Sequence, residues 1–516
     1  MNLPRIIIAG LSGGSGKTLV SLGVVRALAR SGLAVKPCKK GPDYIDAWWL
    51  ALAAGHPATN LDPYFLDADM LRSLFWTQCG LTSPASAQGA YPPATSFLFA
   101  NPPGPYDIAV IEGNRGLFDG RDLSGSCSTA ELARILGAPV VVVMDCTKMT
   151  RTAAAIVSGL RHFEQGVHIA GVILNRTAGP RHRTVLRETI EHYTDVPVLG
   201  VLPKIADNPI PERHMGLVSG MEHEECVAGL DKVADIMADH VDLHRLRQVA
   251  AAAPAQRGPV ADLWSRMPVA EHNVPAQPDA DAAGLDTAIP ARPRIGYVHD
   301  AALWFYYEEN LLALRHAGAD LVRLSLLDDA EWPQLDGLYL GGGFPENLAA
   351  RLAANRPALD RLRILSESGL PIYAECGGFM VLGRSIVMQG TEHPMADIFP
   401  VRTVFHQKPQ GLGYVDAAAV LDNPFHPAGT QFRGHEFHYS RCEPCDTAAD
   451  TPCALRLTAQ SGHVTGMGDG RDGLLLRNTM AAYTHIFAPA VPHWAPAMVH
   501  AARDFRARQT SEPDGI

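Results

Sequence analysis

No stretch of the 516-residue chain reaches 18 consecutive apolar residues, so the sequence offers no membrane-spanning helix. Basic side chains are outnumbered 44 to 54 by acidic ones. The resulting net charge of −10, with no basic stripe, argues against nucleic acid as the main partner. The nine cysteines are odd in number and scattered from Cys38 to Cys453, which is no disulfide framework. Nor is there a signal segment: Met1–Arg5 runs at once into Ile6–Ala9 and a glycine loop, too short for a hydrophobic core of that kind. These absences together read as a cytoplasmic, reduced protein. What the chain does have is apolar mass, 47 % of residues, enough for the two to four domains its length implies at about 100–200 residues each.

Short β-branched runs alternate with helical stretches through the first part of the chain, as βαβ units do. The spacing predicts strands at Arg5–Ala9, Ala34–Lys36, Ile108–Glu112, Val140–Asp145 and His168–Asn175, with a helix over Leu19–Arg30. From Ala251 to Arg294 the composition changes to 12 Ala and 7 Pro in 44 residues. Prolines at irregular spacing forbid one long helix, so this reads as a linker with local order over Asp262–Met267. A second α/β pattern follows at Arg294–Val298, Gly337–Leu340 and Pro371–Ala374, and ends in a helix near Pro496–Arg508. The expected organisation is residues 1–250, a linker at 251–293, and residues 294–516.

Ile6–Ala9 leads into Gly10-Leu11-Ser12-Gly13-Gly14-Ser15-Gly16-Lys17-Thr18 and then a helix, the context of a phosphate-binding P-loop. Gly10, Gly13, Gly14, Ser15 and Gly16 would turn backbone N–H groups toward phosphate, and Lys17 would reach the β/γ-phosphates of ATP. Thr18 and Glu112, at the end of an apolar strand, would supply oxygen ligands to Mg²⁺. Five residues separate Gly10 from Gly16, one more than the strict motif. Ser12 stands where positioning and partition ATPases carry a signature lysine, which weakens a reading as such a switch.

A second chemistry is written at Ile372-Tyr373-Ala374-Glu375-Cys376-Gly377-Gly378, a strand, a cysteine and two glycines entering a helix. This pattern resembles a nucleophile elbow, with the helix N-terminus expected to lower the thiol pKa. His485 is the candidate base, and the Gly341-Gly342-Gly343 loop offers N–H groups for an oxyanion. Cys442-Glu443-Pro444-Cys445, with Cys453, His435 and His438 near in sequence, is one pair rather than two and reads as no metal site.

As a set these blocks resemble the cobyrinic acid a,c-diamide synthase family. The resemblance rests on Gly10–Thr18, Lys40–Asp46, Asn60–Asp62, Glu112-Gly113, Gly116–Gly120, Leu174–Arg176, Phe305–Leu311, the triple glycine, Glu375–Gly378, Arg433–Ser440 and Tyr483–His485. It implies an α/β protein: a parallel-sheet P-loop domain of the dethiobiotin-synthetase type, then a flavodoxin-like class I glutamine amidotransferase domain. The implied task is ATP-, Mg²⁺- and glutamine-dependent amidation of the a and c carboxylates of a corrin ring in cobalamin biosynthesis. Ni-sirohydrochlorin is the alternative substrate, and a non-amidating P-loop switch the alternative of another class.

The resemblance further implies Cys376 as nucleophile with His485, an oxyanion loop of Gly342, Gly343 and Gly377, and Asn175 reading the nucleotide base. Asp43 and Asp46 become candidates for Mg²⁺ or substrate. Tyr44, Tyr306, Tyr307 and Asn310 become candidates for substrate binding. An anionic chain handling a polycarboxylate needs a locally basic pocket, for which Lys39 and Lys40 are the candidates. Class I glutaminases place a Glu two residues after the His; Phe487 stands there, so His485 is expected to work in a dyad. The partners are small molecules, with a homodimer left open.

Overall fold

The computed structural model describes residues 2–82, 105–205, 210, 220–269, 292–328, 331–445, 451–460 and 462–511. These divide into two units at Arg266/Met267. The middle of the Ala/Pro-rich stretch, 270–291, lies outside the described residues.

Unit 1 is built from β1 (Arg5–Gly10), α1 (Lys17–Arg30), β2 (Val35–Lys40), α2 (Tyr44–Ala54), β3 (Thr59–Leu61), α3 (Ala68–Gln78), β4 (Ile108–Gly116), α4 (Thr129–Leu136), β5 (Val140–Asp145), α5 (Thr152–Phe163), β6 (Ile169–Thr177), α6 (Pro180–Thr194), β7 (Val198–Pro203), α7 (Gly220–His240) and α8 (Leu243–Ala251). The seven strands pair in parallel in the order β3-β2-β4-β1-β5-β6-β7. A parallel sheet is covered on both faces, which is why its central strands read as unbroken Ile/Val runs. The chain reverses its direction of travel beside β1, and open α/β sheets bind ligands outside the carboxyl ends of the strands at such a point.

Unit 2 contains β8 (Arg294–Val298), β9 (Leu303–Phe305), α9 (Glu308–His316), β10 (Asp320–Leu324), β11 (Gly337–Leu340), β12 (Gly342–Gly343), α10 (Ala349–Ala354), α11 (Arg356–Glu367), β13 (Ile372–Glu375), α12 (Gly377–Leu382), β14 (Gly383–Met388), β15 (Thr391–Pro394), β16 (Phe399–Phe405), β17 (Gly411–Ala419), β18 (Gln431–His438), β19 (Ser440–Pro444), β20 (Cys453–Ala459), β21 (Arg471–Leu476), β22 (Thr479–Ala482), β23 (His485–Ile486) and α13 (Trp494–Ser511). Its ten-stranded sheet runs β10-β8-β11-β13-β22-β21-β20-β17-β18-β23. The first five are parallel, and in chain order among themselves they lie 2-1-3-4-5, the flavodoxin-like arrangement. The remaining pairs are antiparallel. A four-stranded sheet, β15-β14-β16-β19, stands beside it.

The start of the expected linker packs onto unit 1. Leu263 is fully buried, its N–H donates to Thr77 Oγ1 (2.8 Å), and Thr82 Oγ1 donates to Asp262 Oδ2 (2.7 Å). Arg5, itself buried, donates to the carbonyls of Leu3 (3.1 Å), Leu136 (2.8 Å) and Pro254 (2.6 Å). In the expected linker at 251–293, the described part up to Arg266 belongs to unit 1, held by these few contacts. Arg5→Ala would leave these buried carbonyls unpaired. It is expected to destabilise unit 1 by about 3 kcal/mol and to speed proteolysis within 252–266, as read by denaturant midpoint and peptide mapping.

Candidate active sites

In unit 1 the P-loop rises from β1 with Gly14 (φ 78°) and Gly16 (φ 88°) in the left-handed region. Ser15 braces the turn: its hydroxyl donates to Ser12 O (2.8 Å) and accepts from Ser12 N–H (3.1 Å). Asn175, at the end of β6, donates to Ser15 O (3.0 Å), and a Cβ on Gly16 would come within 2.2 Å of its amide nitrogen. Its carbonyl accepts Arg176 N–H (2.9 Å). Asn175 therefore braces the phosphate loop through Ser15.

Register places Glu112 opposite Ile8, near the carboxyl end of β1. Thr18 Oγ1 donates to Glu112 Oε1 (2.7 Å), while Glu112 Oε2 is buried with no hydrogen-bond partner among the described residues. Two hard oxygen donors with capacity to spare fit Mg²⁺. Asp43 caps α2 by accepting the N–H of Asp46 (2.9 Å). Tyr44 opens that helix and is buried.

Lys39 departs from the sequence expectation. Its side chain is 1 % exposed, and its ammonium bridges Asp46 Oδ2 (2.6 Å) and Glu112 Oε1 (3.0 Å). Burial alone would lower its pKa; the carboxylates of Asp46, Glu112 and Asp43 outweigh that and hold it above the ordinary lysine value. Lys40 is buried too. Both lysines end β2 inside the sheet, and Lys39 is already matched by two carboxylates.

In unit 2, Cys376 sits between β13 and α12 with φ 46°, ψ −100°, a strained turn for a residue with a Cβ. The glycines around it are demanded by crowding. A Cβ on Gly378 would meet Leu340 O at 2.6 Å, one on Gly377 would meet Gly343 N at 2.9 Å, and one on Gly342 would meet His485 Cε1 at 2.5 Å. Those approaches bring the elbow, the glycine loop and His485 together, as the sequence expected. The Cys376 thiol donates to Phe437 O (3.6 Å) on β18.

Two findings were not foreseen. His485 does not stand without a carboxylate: Nδ1 lies 3.4 Å from Glu375 Oε2. Glu375 is fixed in turn by Tyr339 OH (3.1 Å) and by Ile486 N–H (3.2 Å). Asp472, buried and pushed up to about 6 chiefly by burial, accepts the N–H groups of Tyr483 and Thr484 (2.9 Å each) and so pins the segment ahead of His485. Neither carboxylate lies at a motif spacing from His485, so no local signal could have found them. The second finding concerns the thiol. Burial, then Glu346, Glu375 and Glu436, push its pKa well above the ordinary value; the N–H of Gly377 at the start of α12 pulls the other way and is outweighed.

Tyr306, Tyr307 and Asn310 are buried in the framework around the site. Tyr306 OH donates to Val298 O (2.5 Å) and accepts Gly341 N–H (2.7 Å), clamping the glycine loop. Asn310 is fully buried between Ile486 O (3.0 Å) and Ala488 N–H (2.7 Å). The Tyr307 ring packs edge-on to Phe487 and tilted against His435. All three frame β23 and the loop.

Lys39→Met is expected to destabilise unit 1 by about 3–5 kcal/mol, since two carboxylates would stay buried without their cation. Adding Asp46→Asn and Glu112→Gln should recover part of that loss in the same denaturation experiment.

Residues 6–218 match the profile of the CobQ/CobB/MinD/ParA nucleotide binding domain, and residues 294–491 that of the CobB/CobQ-like glutamine amidotransferase domain. The chain is 40 % identical over 507 residues to the cobyrinate a,c-diamide synthase of Magnetococcus marinus, covering 98 % of each chain. It is 37 % identical over 484 residues to the protein of that name from Listeria innocua, covering 93 % of this chain and 96 % of the relative. The counterpart from Methanosarcina acetivorans is 34 % identical over 529 residues, 98 % and 97 % of the two chains. With a nucleotide-binding and an amidotransferase domain matched in order, and relatives aligned over nearly its whole length, this chain belongs to the cobyrinate a,c-diamide synthase family of glutamine-dependent ligases.

Proposed function

We propose that the chain amidates the a and c carboxylates of cobyrinic acid, drawing ammonia from glutamine in unit 2 and activating each carboxylate with ATP in unit 1. The observation that carries the glutaminase half is the Cys376 elbow, set against both the glycine loop and the His485–Glu375 pair. Names of relatives aligned over nearly the whole chain support the substrate.

In unit 2, His485 takes the proton of Cys376 as sulfur attacks the amide carbon of glutamine. N–H groups of Gly343 and Gly377 face the developing oxyanion. His485 returns the proton to nitrogen, ammonia leaves, and water then hydrolyses the thioester to glutamate. Glu375 holds Nδ1 protonated, so that Nε2 is the basic nitrogen, and it stabilises the imidazolium. Burial holds the thiol pKa above its ordinary value, so the mechanism relies on His485 to take the proton.

In unit 1 a carboxylate oxygen attacks the γ-phosphorus of ATP, giving an acyl phosphate and ADP. Ammonia then displaces phosphate and leaves the amide. Lys17 and the loop N–H groups hold the phosphates. Thr18 and Glu112 would hold Mg²⁺, whose bound charge would offset that of the phosphates.

Cys376→Ala is expected to abolish glutamine-driven amidation and keep amidation driven by ammonium salt, while Lys17→Ala loses both. Mass spectrometry of cobyrinic acid after incubation with ATP, Mg²⁺ and glutamine should show two added amides. Two amides on Ni-sirohydrochlorin but none on cobyrinic acid would overturn the substrate. No glutamate release and no amide on either would overturn the ligase reading. Glu375→Gln should lower glutaminase kcat by about 10²-fold or more, read as glutamate release, with ammonia-driven amidation retained.

A further inference from the structure

The thiol of Cys376 feels three carboxylates, those of Glu346, Glu375 and Glu436, with Glu346 the strongest. Two of them are committed. Glu375 serves Tyr339, Ile486 and His485. Glu436 accepts the N–H groups of Thr465 (3.2 Å) and Gly466 (2.8 Å).

Glu346 differs. It lies in the short turn Pro345–Leu348, directly after the glycine loop, and is 6 % exposed. Its Oε2 has no hydrogen-bond partner among the described residues. Its own backbone N–H donates to the carboxylate, and burial pushes its carboxyl up to about 7. The turn borders the nucleophile, since a Cβ on Gly377 would touch Pro345 Cδ at 3.0 Å.

A buried carboxylate oxygen without a donor is costly in the free protein. The substrate whose amide Cys376 attacks is a zwitterion, with an ammonium four bonds from the reacting carbon. Such a cation cannot enter a buried site without an anion to meet it.

We propose that Glu346 receives the α-ammonium of glutamine, through the oxygen left without a donor beside the elbow. This assignment rests on the glutaminase reading above. Cys376 and His485 recognise only an amide; Glu346 makes the site specific for an amide carried on an α-amino acid.

The test compares glutamine with 4-carbamoylbutanoate, which is glutamine without its α-amino group, by ammonia release from the full chain. The wild-type protein should prefer glutamine in kcat/KM. Glu346→Gln should lower kcat/KM for glutamine by about 10- to 100-fold and change that for the deamino analogue far less, so the preference collapses. Glu346→Asp should keep part of the preference, and it serves as the readout if the Gln variant does not fold. Equal losses on both substrates, or no loss on glutamine, would overturn the assignment. So would a wild-type protein indifferent to the α-amino group. Failure to hydrolyse either amide would instead overturn the glutaminase reading itself.

Discussion

Glu375 is one residue from the nucleophile in sequence, yet its side chain points to the other half of the site. Its two oxygens take the hydroxyl of Tyr339 on β11, the backbone of Ile486 on β23, and the imidazole of His485. A buried carboxylate demands such a complete set of partners, because each unmade hydrogen bond in a low dielectric is expensive. The demand locks β11, β13 and β23 at the level where sulfur, imidazole and glycine loop must meet. Tyr306 and Asn310 add to the same frame from the segment after β9. The elbow's strain can persist only because this frame surrounds it.

Unit 1 solves a related problem with a cation. Lys39 stands between Asp46 and Glu112, so the acidic residues near the P-loop are kept together before any nucleotide arrives. Thr18 shares Glu112 Oε1, and the other oxygen faces no protein donor among the described residues. The lengthened P-loop needs its own support. Ser15 and Asn175 supply it from inside the turn, leaving Ser12–Gly14 exposed.

Much of this was legible in the sequence where chemistry is local. The strand–glycine–Lys–Thr–helix order, the apolar run ending in Glu112 and the Cys-Gly-Gly elbow each fit inside a dozen residues. What was hidden depends on which strands become neighbours. Glu375 and His485 are joined only through the fold: they lie 110 residues apart, and β23 pairs with β18 rather than with β13. Lys39 reads as a solvated charge because sequence shows its Gly-Pro turn and not the strand face on which it lies. The contacts of Asn175, Tyr306 and Asn310 are hidden for the same reason: identity is visible in a chain, and the direction of a side chain is not. Within the Ala/Pro stretch the local order read over Asp262–Met267 includes Leu263, a buried apolar anchor on unit 1.

The backbone angle at Cys376 carries a consequence of its own. A residue with a Cβ at φ 46° is strained by about 1 kcal/mol or more, and glycine would relieve that strain. At this one position, then, selection for thermal robustness and selection for a working sulfur pull in opposite directions. A lineage that had lost its need for glutamine would be expected to drift first here.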